Sequence, residues 1–142
     1  MSRIEKGVVV FLFAASVVTF LMAASCAHGL DGARQALTAA EKIQTDTILL
    51  IEKYDVERQA DIVKAAPSLE LGQRHLFDYR LKRDAVVKVV LDAAAITSVG
   101  ETLLPLVEHG QKKQTDLDLW LKDLLTAGLK VREAVNEFKG AN

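Results

Sequence analysis

Leu117–Phe138 reads LDLWLKDLLTAGLKVREAVNEF. Leu117, Trp120, Leu124, Ala127, Val131, Ala134 and Phe138 recur there at alternating spacings of three and four. That period puts all seven side chains on one face of an α-helix, which completes a turn every 3.6 residues or so. Leu121, Gly128 and Val135 flank the seam. Thr115 is placed to cap this helix, with Asp118 at the capping-box position, and Gly140 to end it. A stripe of this kind has to be covered by other apolar surfaces.

Two more helical patterns precede it. EHGQKKQTD, around Gly110, is the clearest loop in the chain. Before it, Val86, Val89, Ala93, Ile96, Gly100, Leu103 and Val107 keep the same seam, widened by Val90, Thr97 and Leu104. This helix is predicted to begin near Gln73. Gly100 and Pro105 strain it, and Ser98-Val99-Gly100-Glu101 reads as a capping box, so a split near Gly100/Pro105 is predicted as an alternative to a kink. APSLELGQR forms the break before it: Pro67 disfavours helix at Ala66, and Gly72 permits a turn, although Ser68 could equally cap a new helix. Earlier still, Ala33, Leu37, Ala40, Ile43, Ile48, Ile51 and Tyr54 mark a helix starting at an Asp31 cap. Its weakest part is Thr45-Asp46-Thr47.

The fold class is therefore all-α: an antiparallel bundle of three long helices, following an N-terminal apolar helix. Ala93, Gly100, Ala127 and Ala134 allow the second and third long helices to approach closely. The 142 residues suit one bundle domain at 27–142 behind a leader or anchor at 1–26. With 18 basic and 19 acidic residues, the chain lacks the clustered positive charge that general nucleic-acid binding requires. One cysteine allows neither an internal disulfide nor a four-ligand zinc site built on thiolates.

The first segment decides location. Val8 to Ala24, VVVFLFAASVVTFLMAA, carries no charge over 17 residues. As a helix, Gly7 to Ala27 spans about 31 Å, the thickness of a hydrocarbon core. Arg3 and Lys6 ahead of it favour a cytoplasmic N-terminus and export of the rest. Ala23-Ala24-Ser25-Cys26 resembles the lipobox of bacterial lipoproteins, with Ala23 standing where leucine is usual. The resemblance implies lipidation of Cys26, which would become the new N-terminus, and residence in the bacterial cell envelope, on its periplasmic or outer face. Plain signal cleavage after Ala27 and an uncleaved anchor are the other readings. Either lipid or the N-terminal helix would tie the domain to a membrane.

Catalytic patterns are not found. His28, His75 and His109 have no second histidine at ligand spacing, no phosphate-binding glycine loop or Gly-x-Ser-x-Gly occurs, and the Glu-x-x-His pattern of di-iron bundles is missing. No metal site and no cofactor are expected. The most interesting surface is RHLFDYRLKRD, where Arg74, His75, Phe77, Tyr79, Arg80, Lys82 and Arg83 crowd into about three helical turns, a candidate patch for an anionic lipid headgroup, an acidic polymer or a partner helix. A protein partner or self-association is expected of the domain as a whole. The expected function is non-enzymatic: an envelope lipoprotein whose bundle serves interaction or structural support. The alternative is an uncleaved single-pass protein acting as a coiled-coil tether or accessory subunit.

Overall fold

A computed structural model describes residues 3–25 and 29–140. It is all-helical over those residues: α1 (Arg3–Ser25), α2 (Gly29–Ala65), α3 (Leu69–Glu108) and α4 (Gln114–Gly140). α2, α3 and α4 correspond to the three long helices expected from the seams. The N-terminal apolar helix is the difference. α1 packs against both α2 and α4, so the bundle has four members rather than three. Ser16 meets Asp46, Arg34 meets Glu108, Trp120 meets Ile96 and Phe20 meets Gly128. Among the described residues α1 and α3 make no direct contact and lie on opposite sides of α2 and α4.

The extra member explains the width of the buried stripe on α4. Leu121, Gly128 and Val135 are buried together with Leu117, Trp120, Leu124, Ala127, Val131 and Phe138. One seam covers one neighbour, whereas two neighbours require a broader face. On α3 the buried row is Val86, Val90, Ala93, Thr97, Gly100 and Leu104. Val89, Ile96, Leu103 and Val107, expected in the seam, lie at its half-buried edge.

α3 is unbroken through Gly100 and Pro105. Gly100 is needed for contact: a Cβ there would come within 2.0 Å of the Trp120 ring. The Trp120 Nε1–H donates to the Ile96 carbonyl at 2.8 Å and fixes the ring in place. The expected Ser98 cap is absent, since Ser98 is helical and its carbonyl accepts from Thr102. Pro105 is exposed near the helix end, where a missing N–H costs one bond on the solvent side.

Helix ends follow local chemistry. The Ser68 hydroxyl accepts from Leu71 N–H, so α3 starts earlier than Gln73. Gly72 is inside this helix, not in a turn, and a Cβ there would lie 3.1 Å from that of Ala66. α3 closes with Gly110 at φ +71, while Gly110 N–H reaches the Val107 carbonyl at 3.1 Å and Gln111 N–H that of Leu106 at 2.8 Å. This is the paired bonding of a Schellman stop. α4 begins at Gln114, ahead of the expected Thr115 cap, and the Asp116 carboxylate accepts from Lys113 N–H at 3.0 Å.

α2 and α3, at 37 and 40 residues, outrun α1 and α4, at 23 and 27. No residue of α2 beyond Ile51 is buried, and on α3 only Gly72 is buried before Val86. The α2–α3 hairpin thus stands out from one end of the bundle. At the other end the start of α2 meets the end of α3.

Candidate functional site

The basic–aromatic stretch lies on the first part of α3, on the projecting hairpin. A helix turns its residues through all directions, and the seven candidates divide accordingly. Arg83 faces α2: its Nη1 lies 3.3 Å from each oxygen of Asp55, while Nε and Nη2 donate to Asp84 at 3.0 and 2.8 Å. These bonds, led by the one to Asp84, raise the arginine's pKa further above its ordinary value. Arg80 Nη2 donates to Gln59 Oε1 at 3.1 Å, and Gln59 Nε2 donates to Asp55 at 2.9 Å. Together they form a polar clasp between α2 and α3.

Tyr79 faces α4, with its ring 5.8 Å from that of Phe138. Its hydroxyl is buried without a hydrogen bond of ordinary geometry. Burial first, and the nearby Asp55 carboxylate second, raise its pKa well above the usual phenol value. Lys82 borders a groove of about 310 Å³ between α3 and α4, shared with Glu137 and Phe138. Only Arg74, His75 and Phe77 are left pointing outward without a described partner helix, and Phe77 is 63 % exposed. Exposed Leu69, Leu71, Val63 and Val56 accompany them. The hairpin end therefore offers an apolar surface with a few positive charges, and not a convergent pocket.

The other candidate, Cys26, lies outside the described residues, as do Ala27 and His28. Among the described residues no three His, Cys, Asp or Glu side chains gather as metal ligands. Glu108 of the Glu108-His109 pair is engaged with Arg34 Nη2 at 2.7 Å, linking α3 to α2. Both partners are about half exposed, so the pair contributes little to stability. The hydrogen bond from Arg34, and then its charge, lower the Glu108 pKa. Whatever the pair contributes is thus present above the ordinary glutamate pKa and is lost as pH falls through the depressed value. In an NMR titration of the whole chain, Arg34→Gln is expected to move Glu108 back up to the ordinary glutamate range. An unchanged midpoint would show that the pair does not form in solution.

Sequence reasoning missed a second cluster altogether, the one around α1. Phe13, Ser16, Val17 and Phe20 face inward and are buried. Ser16 donates to the Asp46 carboxylate, which also accepts from Lys42 at 2.8 Å. The available signals were Asp46, a carboxylate interrupting an apolar pattern, and Gly128, a glycine in mid-helix.

By length and composition alone, α3 is apolar enough to cross a membrane, and α1 contains the shorter apolar run Val10–Met22. On α3 the Val86–Leu104 row is buried against its neighbours, while Leu91 and Val99 on the other side stay exposed. The protein is an all-helical bundle carrying an apolar N-terminal helix. Comparison of the chain with protein-family models, curated proteins and solved structures found no match.

Proposed function

We propose that the protein is a non-enzymatic envelope lipoprotein, tethered to a membrane through lipid on Cys26, whose helices serve protein–protein interaction or structural support. The observation that carries this reading is the uncharged Val8–Ala24 run ending in a small-residue patch and the sole cysteine. The working part is then the antiparallel three-helix domain α2–α4, whose members all contact one another without α1. Gly29 opens α2 three residues after Cys26. A lipid on Cys26 would hold the start of α2 and the end of α3 near the headgroups. α2 then carries the chain about 55 Å outward. The hairpin with Arg74, His75 and Phe77 becomes the far end, presented to a protein partner or to a second copy. Two or three acyl chains hold such a domain firmly, whereas one does not.

A second reading is favoured by one observation, the seating of Phe20 on Gly128. In it, α1 is retained, and the protein is a single-pass tether or accessory subunit. The intact mass of the N-terminus, measured on protein extracted from membranes, separates the two. An acylated Cys26 as first residue is the expected result. An intact Met1 in the membrane fraction supports the second reading, and an untrimmed chain confined to cytosol overturns both.

A further inference from the structure

α1 sits in the α2/α4 groove by features matched to it. The Phe20 ring is 1 % exposed and lies where any side chain at position 128 would intrude, since a Cβ there would come within 1.9 Å of it. Ser16 is hydrogen-bonded to Asp46, and Lys139 stands 5.7 Å from the Phe13 ring centre. A mid-helix glycine is a poorer helix former than alanine, so Gly128 has a local cost that docking of Phe20 accounts for. Asp46 breaks the apolar pattern of α2, and bonding to Ser16 accounts for that too. Yet the groove covers only one side of α1. Val8, Phe11, Leu12, Val18 and Met22 remain 47–71 % exposed on the other. An apolar stripe left in water marks a surface that has another partner, and a bilayer is the environment that covers a helix apolar on both sides.

We propose that residues 8–22 form an exchangeable helix with two alternative sites: the α2/α4 groove of its own chain in water, and the hydrocarbon core when a bilayer is offered. The groove's occupant is this chain's own α1, joined to α2 by three residues. Docking shields the Phe13, Val17 and Phe20 face until a membrane is met, and insertion bares Gly128 on α4, which Phe20 covers. The inference applies to the chain while α1 is attached, the precursor in the lipoprotein reading and the final protein in the second reading, and it rests on α1 being a membrane-seeking segment.

The test uses the full chain with Cys26→Ser, which blocks lipidation at that position and removes the native thiol. Spin labels are placed on Ala15→Cys and Asn136→Cys, both exposed and close in level on α1 and α4. Pulsed dipolar spectroscopy in water should show a single short distance. Vesicles of phosphatidylcholine with phosphatidylglycerol should replace it with a long, broad one. Gly128→Leu should lose the short distance in water, with Trp120 fluorescence unchanged. Phe20→Glu, which alters α1 alone, should do the same without touching α4. A short distance that survives vesicles overturns the exchange. A long distance in wild-type water samples, or a short one found only between separately labelled chains, overturns docking within one chain. The N-terminal mass measurement reads Cys26 processing in the unsubstituted protein, so failure of the lipoprotein reading and failure of the exchange are told apart.

Discussion

Gly100→Ala is expected to destabilise the protein by about 2 kcal/mol, a fall in melting temperature of roughly 7 °C at this chain length. The sign is the informative part. In an exposed helix interior, replacing glycine by alanine stabilises by about 1 kcal/mol, because glycine has more backbone freedom to lose. At position 100 the added Cβ would meet Cζ2, Cε2 and Cη2 of Trp120 at 2.0, 2.4 and 2.7 Å. The ring cannot simply turn aside. It is 4 % exposed, packed within the core, and its N–H is held by the Ile96 carbonyl. Overpacking of a close-packed core costs about 1–3 kcal/mol, and contacts this short fall at or beyond the upper end, which outweighs the propensity gain. Thermal denaturation followed by the fluorescence of Trp120, the only tryptophan, measures both the loss and the disturbed ring. Trp120→Phe shortens the ring, so adding it to Gly100→Ala should recover part of the loss beyond additivity. A melting temperature raised by Gly100→Ala would mean that α3 and α4 do not meet at this point.

The three long helices were legible because their apolar residues keep time with the helical turn over many residues, and because Pro67 and Gly110 interrupt that rhythm. Errors arose where a residue served a contact rather than its own segment. Gly100 and Gly72 look like breaks when read locally. Both are sites where a neighbour comes too near for a side chain, the Trp120 ring in one case and Ala66 in the other. Pro105 was read as a point of strain, a kink or part of a split near Gly100, but on the exposed side of the last turns of a helix its cost is small enough for packing to override. α1 posed a different difficulty. A run apolar on all sides has no preferred face, so its sequence cannot say whether lipid or protein covers it, nor which side a protein would take. The candidate patch was read as one cluster because its residues are adjacent in sequence. Arg80 and Arg83 reach α2, Tyr79 and Lys82 lie toward α4, and only Arg74, His75 and Phe77 project outward. The Asp55–Gln59 half of the clasp lies on another helix, with no motif to announce it.

Leu124→Ala should cost about 3 kcal/mol, near the middle of the range for a buried leucine, and lower the melting temperature by roughly 10 °C. Leu119→Ala, five residues earlier on the same helix, should change stability by no more than about 0.5 kcal/mol. The contrast follows from the register of α4 alone. Leu124 is 2 % exposed and sits in the seam between Trp120 and Ala127, where truncation removes buried surface and leaves a cavity that the rigid helices around it cannot close. Leu119 is 60 % exposed, so truncation removes surface that was already mostly wet. Both residues have the same composition and nearly the same helix propensity effect on truncation, so only burial distinguishes them. Chemical denaturation of the two variants measures this directly: the midpoint should move for Leu124→Ala with little change in slope, since the surface exposed on unfolding is almost the same. Equal losses at both positions would mean that α4 is covered on a second, outward side in solution, and the partner would have to lie over Leu119. A loss at Leu119 alone would rotate the helix by more than a quarter turn, and with it would go the contacts of Trp120 with Gly100 and of Gly128 with Phe20.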